Sequence, residues 1–419
     1  MKTIANRLYG SDDVRLEVFN LPELKDNEIL LEVISDTLCA STYKAVKLGV
    51  NHKRVPPDID KNPIIIGHEM CGIVRKVGKY AKGNFKVGDK AVVQPALKLE
   101  SGYDPGYSYK YIGGAATFVI VPDIVLERNC LIHYNGDSFF AGSLTESLAC
   151  IIRGYKGCYH TDYTTYIRTD GAKRNGKVAI LGGAGPMGIG AIELAIGYAG
   201  VKQVVVTDLD EKRLEYANKI CSVEEAKRRG VDLIYLNTSN IENPVEELKR
   251  ISSGGFDDVF VMVAVSALFT MAEEILKEDG CLNMFAGSAD HFLKGSLNLY
   301  RIHYDGIHVV GTAGSIPKDM EEIIELIENK KINAGALISH ILGIRAYKDA
   351  IYGLGEPNGT KKVCYTGLDI PLIALDDLEN LGKTNPLYKK LDELVKKNGG
   401  IWNSEAEEYL LNNAPRIEY

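Results

Sequence analysis

Several things are missing from this 419-residue chain, and each absence removes a class of function. No apolar run is long enough to span a bilayer, so the sequence predicts no membrane partner. The opening residues, MKTIANRLYG, lack the apolar core of a secretory leader. The eight cysteines show none of the spacing of a disulfide framework, so they are expected to be reduced and the protein cytoplasmic. There is no excess of positive charge: the net charge of −7 argues against nucleic acid as a partner. Internal repeats and low-complexity tracts are also absent. What remains, at 45% hydrophobic and 25% charged residues, is an ordinary globular composition in a chain long enough for two domains or more.

The most informative stretch runs from Lys177 to Asp210. A short apolar run, Val178 to Leu181, has the length of a buried parallel strand. Gly183, Gly185 and Gly188 follow in the spacing G-x-G-x-x-G, then a helical pattern from Met187 to Tyr198, then a β-branched run from Val204 to Thr207 that ends at Asp208. This is a βαβ unit with a job for each part. Gly183 permits the tight turn, Gly185 lets a pyrophosphate approach the backbone, and Gly188 lets helix and strand pack closely. Pro186 and Met187 open the helix, whose unpaired N–H groups attract phosphate. Asp208, about 20 residues past the last glycine, can accept hydrogen bonds from ribose hydroxyls and favours NAD(H) over NADP(H), with Arg213 close enough in sequence to offset part of its charge. Further parallel strands are expected at Asp232 to Leu236, Asp258 to Val263, Cys281 to Ala286 and His308 to Val310.

The first hundred residues read as β-rich, with strands expected at Val14 to Val18, Glu28 to Ile34, Gly72 to Val77 and Lys90 to Gln94. Two patches there carry chemistry: Asp36-Thr-Leu-Cys39-Ala-Ser41-Thr42 and Pro63-Ile-Ile-Ile-Gly67-His68-Glu69-Met-Cys71-Gly72. A single buried cysteine is usually a small core residue, and a single histidine is usually just hydrogen-bonded. Catalytic zinc takes three ligands from Cys, His and Asp/Glu, and Glu146, just before the nucleotide-binding segment, could be the third.

Taken together, Gly67-His68-Glu69, Gly72-Ile-Val-Arg-Lys-Val77-Gly78, Val87-Gly88-Asp89-Lys90 and Glu146-Ser147-Leu148 make the chain resemble the zinc-dependent medium-chain dehydrogenase/reductase family, over nearly all of its length to about residue 365. The resemblance implies an α/β protein: a GroES-like β-rich catalytic domain (1–148 and 312–419) and a doubly wound Rossmann domain (149–311). It implies that Cys39, His68 and Glu146 are zinc ligands, that Glu69 is a direct or exchanging ligand, and that Ser41 relays a proton. Three features depart from the pattern. The loop from Pro95 to Gly113 has none of the four cysteines of a structural zinc lobe, so one catalytic zinc and no structural zinc is expected. Lys44 stands where relatives place a relay histidine. Extra residues occur at His160 to Arg174 and at Ser222 to Arg229, the latter reading as an enlarged helix.

The tail contributes Pro386 to Lys397 and Ser404 to Asn412 as amphipathic helices, read as a packing extension. The tail segment GIWNSEAEEYLL, with HYDGIHVVGTAG and the cysteine-free loop, resembles the L-sorbose-1-phosphate reductase branch. That likeness implies hydride transfer between NAD(H), or NADP(H), and a sugar or polyol phosphate. Lys44, Lys47, His52, Lys53, Arg54, Arg301 and His303 are candidate cations for the phosphate. The alternatives are a free polyol or secondary alcohol as substrate, or a dinucleotide-binding sensor without catalysis. A homodimer or homotetramer is the assembly expected of the family.

Overall fold

The computed structural model describes residues 1–288, 290–355 and 360–418. Two compact units emerge: Met1–Ser147 with Ser315–Glu328 and Leu337–Tyr419, and Leu148–Gly314 with Asn329–Ala336. Among the described residues no helix is long and apolar enough to cross a membrane.

The second unit is built on six parallel strands. Their order across the sheet is Asp232–Asn237, Gln203–Asp208, Lys177–Leu181, Phe256–Val261, Leu276–Met284 and His308–Gly311. The chain enters at the centre, winds out to one edge, returns, and winds to the other. The strand order therefore reverses between Lys177–Leu181 and Phe256–Val261, the place where such sheets bind ligands. Val178 to Leu181 and Val204 to Val206 are fully buried, as strands covered on both faces require.

Each expected strand is present, with shifted ends. The helical pattern from Met187 to Tyr198 is also present, but its regular part is Pro186–Leu194, followed by a π-turn at Ala195–Ala199 and a left-handed stop at Gly200. Ser222 to Arg229 is not an enlargement of the preceding helix. Ser222 accepts a hydrogen bond from the Glu225 N–H and caps a separate helix, Val223–Arg228. His160 to Arg174 contains most of an antiparallel hairpin, Tyr159–Asp162 with Ile167–Asp170.

The first unit carries an eight-stranded sheet in which Ile29–Thr37 pairs with Met70–Val77, Phe118–Val121 and Lys361–Tyr365. A three-stranded sheet holds Asp13–Asn20, Lys2–Gly10 and Ile64–Ile65. The nine-residue strand Lys2–Gly10 was not expected. Asn6 and Arg7 interrupt its apolar pattern, yet Asn6 is fully buried and donates Nδ2–H to the Ile344 carbonyl at 3.0 Å.

The tail forms Pro386–Lys397 and Ser404–Asn413, capped by Asn385 and Asn403. Trp402 between them is completely buried and donates its indole N–H to the Tyr365 hydroxyl at 2.8 Å. That hydroxyl donates to Glu407 (2.9 Å), which also accepts the Phe139 and Phe140 N–H groups (2.6 and 2.8 Å). The tail thereby caps the helix Phe139–Ser143, which runs directly into the helix bearing Glu146.

Candidate metal centre and nucleotide site

Strand pairing assembles the first site. Asp36 stands opposite Met70 in the ladder, so the segments just beyond, Cys39 and His68, leave the sheet together. Cys39 precedes the helix Ala40–Leu48, which carries Ser41, Thr42 and Lys44. Gly67 turns the other segment with φ +89°. Any Cβ there would stand 2.5 Å from Asp36 Oδ2 and 2.8 Å from the Ala115 N, so the turn admits only glycine.

The donor atoms of Cys39, His68 and Glu69 lie within 4.8 Å of one another. His68 Nδ1 pairs with Thr42 Oγ1 at 2.9 Å, and its Nε2 lies 3.3 Å from both Ser41 Oγ and the Tyr107 hydroxyl. Burial pushes the imidazole pKa down to about 4, with Glu69 opposing, so His68 is neutral near pH 7, the form that binds metal. Burial pushes the Cys39 thiol up to about 12, with the Lys361 ammonium opposing. A metal ion, which deprotonates a coordinating thiol outright, reverses that preference. Ser41 Oγ lies 3.0 Å from Cys39 Sγ and accepts from Tyr107 at 2.9 Å.

Glu69 is engaged on every side. Lys361 Nζ donates to both carboxylate oxygens at 2.5 Å, Ser147 donates at 2.7 Å, and the Thr37 hydroxyl makes a further short contact. Burial alone would raise the Glu69 pKa; the Lys361 charge, helped by His68 and the Lys361 and Thr37 hydrogen bonds, holds it below the ordinary range. Glu146, in the first turn of Thr145–Gly157, is close enough for its charge to act on Cys39, Tyr107 and Lys361, although it is not one of the three most tightly grouped donors. Lys44 sits on the exposed face of its helix, one turn beyond Ser41.

Two contributors were not legible beforehand. Lys361 reaches Glu69 across 292 residues of sequence. Tyr107 comes from the cysteine-free loop, is fully buried, and packs its ring on His68 (centroids 4.8 Å apart) and on His52 (5.7 Å). The Tyr-rich loop was a signal, but nothing local gave it a destination.

The basic candidates divide. Lys47 pairs with Asp12 at 2.9 Å, Arg54 with buried Asp104 at 3.0 Å, and Arg301 with Glu273 and Asp305 at 3.0 and 2.8 Å. Burial, then the charges of Arg54, Lys53 and Lys44, pushes the His52 pKa down to about 4, which marks a positive local field.

In the second unit the left-handed turn falls at Gly182 (φ +66°) rather than at Gly183, and the close packing expected of the third glycine is present. The Gly183 N–H donates to the Thr207 carbonyl at 2.8 Å. A Cβ on Gly188 would stand 2.0 Å from the Gly183 carbonyl oxygen, whereas one on Gly185 would meet nothing within 4 Å. Close packing thus demands the third glycine, and open space lies where a pyrophosphate would approach the second. Pro186 opens the helix behind Gly185. Asp208 ends its strand and accepts the Ala184 N–H at 3.2 Å and the Leu209 N–H at 2.8 Å. Arg213 lies 3.9 Å from Asp210 rather than on Asp208. Both donor sets therefore suit their groups: neutral imidazole, thiol and carboxylates for zinc, a glycine turn and terminal acid for a dinucleotide.

Comparison with known proteins identifies the family. The family model described as "Alcohol dehydrogenase GroES-like domain" matches residues 25–128, and that described as "Zinc-binding dehydrogenase" matches residues 186–329. The chain is 42% identical to mannitol-1-phosphate 5-dehydrogenase of Aliivibrio fischeri, over 98% of this chain and 97% of that protein. It is 39% identical to L-sorbose 1-phosphate reductase of Klebsiella pneumoniae, over 100% of this chain and 99% of that protein. The crystal structure of 2R,3R-butanediol dehydrogenase from Bacillus subtilis superposes with a TM-score of 0.70 at 20% identity, covering 87% of this chain and 99% of that one, and shows the shared fold.

Proposed function

Because this chain belongs to the zinc-binding dehydrogenase family, we propose that it is an NAD(H)-dependent oxidoreductase acting on a polyol phosphate, with L-sorbose 1-phosphate and D-glucitol 6-phosphate as the favoured pair. The observation that carries the reading is the convergence of Cys39, His68 and Glu69 within 4.8 Å, beside the Ser41 hydroxyl. Bound zinc would supply a Lewis acid that polarises the substrate C–O group and lowers its hydroxyl pKa, and the nicotinamide would supply the hydride acceptor. Cys39, His68 and Glu146 would hold that one catalytic zinc, with none in the loop from 95 to 113. Glu69, whose oxygens are held by Lys361, Thr37 and Ser147, would be the exchanging ligand. Ser41 relays the substrate's hydroxyl proton, passing its own proton on toward the cofactor ribose as it accepts, and the Tyr107 hydroxyl, which donates to Ser41 Oγ at 2.9 Å, orients it; Lys44 is the outer candidate on the same helix. Gly183, Gly185, Pro186, Met187 and Gly188 cradle the pyrophosphate. Asp208 selects NAD(H) by repelling a 2′-phosphate, and Arg213 leaves some tolerance for NADP(H).

With Lys47, Arg54 and Arg301 in ion pairs, substrate phosphate recognition falls first on Lys53 and on the positive field around His52. The relative named for mannitol 1-phosphate favours that polyol phosphate as a second reading. The cytoplasm is the compartment consistent with eight free cysteines, and the working form is a homodimer or homotetramer. The test is metal content alongside NADH turnover. Cys39→Ser and His68→Ala should each lose one metal equivalent and nearly all hydride transfer while the chain still folds. Full turnover in either variant would reject the site.

A further inference from the structure

The parallel sheet of the nucleotide-binding unit breaks the usual apolar pattern in one row. Strands covered on both faces carry apolar side chains, yet Asp258, Cys281 and His308 stand side by side, in register, on three neighbouring strands. Departures of this kind concentrate at functional sites. Cys158, at the end of the helix Thr145–Gly157, and the inserted hairpin cover the row. The Tyr159 ring stacks on His308 with centroids 4.1 Å apart.

The donor atoms of Cys158, Asp258 and Cys281 lie within 4.8 Å of one another, and all three residues are 0% exposed. The surroundings supply what thiolates and a buried carboxylate need. His160 Nε2 lies 3.1 Å from Asp258 Oδ1, and the Lys173 N–H donates to Oδ2 at 2.9 Å. Asn283 Nδ2 donates to the Gly154 carbonyl at 2.9 Å and points at Cys158 Sγ from 4.0 Å. Asp279 ties the arrangement together, its carbonyl on His160 Nδ1 at 3.0 Å and its carboxylate on His308 Nε2 at 2.9 Å.

We propose that Cys158, Asp258 and Cys281 form a second metal site, for a thiophilic divalent cation of the zinc class, which clamps the inserted hairpin to the sheet. Two thiolates and a carboxylate are a donor set that selects such ions over hard cations. Binding expels the two thiol protons to solvent and changes no oxidation state. The site is remote in sequence from the cysteine-free loop, so the count of one metal per chain drawn from that loop does not bear on it.

The deciding experiment is metal analysis of full-length protein purified without chelators. Cys39→Ser, which leaves the nucleotide-binding unit unaltered, should retain one equivalent, and Cys39→Ser/Cys281→Ser should retain none. The proposal is overturned if Cys39→Ser retains no metal, or if the double variant keeps as much as the single. Should the double variant fail to fold, cobalt-loaded Cys39→Ser decides the matter: a thiolate-to-cobalt charge-transfer band is expected, and its absence overturns the site. Two missing thiols on titration of denatured, unreduced wild type would instead show a Cys158–Cys281 disulfide and also overturn it.

Discussion

Replacing Lys361 with Met should cost the first unit more than any surface charge change could. The ammonium and the Glu69 carboxylate are both buried, with Nζ 2.5 Å from each oxygen. At an effective dielectric of about 20, one such contact corresponds to about 6–7 kcal/mol of Coulomb attraction before desolvation is counted. Most of that offsets the removal of two charges from water. Breaking the pair from one side leaves an uncompensated buried charge, and the expected loss is about 3–5 kcal/mol. The chain supplies its own probe, because its single tryptophan, Trp402, is buried within the same unit. Urea unfolding followed by Trp402 fluorescence should show the loss in Lys361→Met. The double variant Lys361→Met/Glu69→Gln should be less destabilised than the two single changes together, by about 1–3 kcal/mol. Single costs below about 1 kcal/mol with simple additivity would equate the pair with exposed ion pairs and refute the reasoning.

Two further predictions follow from other parts of the molecule. Asp208→Ala should narrow the preference for NAD(H) over NADP(H); a wild-type enzyme far more active with NADPH would remove the role given to that carboxylate. Burial pushes the Glu407 pKa from 4.5 up to about 7 against the hydrogen bonds it accepts from Phe140, Phe139 and Tyr365. A carboxyl raised in the folded state favours folding when protonated, so its contribution to stability should grow as pH falls from about 7 toward 4.5, by roughly 2–4 kcal/mol. Comparing Glu407→Gln with wild type across that range should show the pH dependence flatten; parallel curves would mean that Glu407 does not titrate there.

What was legible in the sequence was what is local. The glycine turn and its strands could be read because each residue's role depends on neighbours within one βαβ unit, and the contact between Gly188 and Gly183 supports that logic. Cys39 and His68 required recurring motifs, since only strand pairing brings their loops together. Lys361, Tyr107 and Glu407 stayed hidden because each acts across a long stretch of chain: Lys361 on Glu69, Tyr107 on Ser41, Glu407 on the helix start at Phe139. A lysine, a tyrosine and a glutamate without a local pattern read as surface residues, and only the fold makes them interior. The strand Lys2–Gly10 was obscured for a related reason, its polar Asn6 donating its side-chain amide to a distant carbonyl.

The central claim is that this site moves hydride to and from a phosphorylated polyol. It is tested most directly by kcat/KM for D-glucitol 6-phosphate against D-glucitol with NAD as acceptor. Binding energy from a group remote from the reacting carbon can be expressed in the transition state, and charge-assisted contacts to phosphate contribute several kcal/mol when desolvated. The phosphorylated substrate should therefore be favoured by roughly two to four powers of ten. Equal values would contradict the account and leave a dehydrogenase of free polyols in its place.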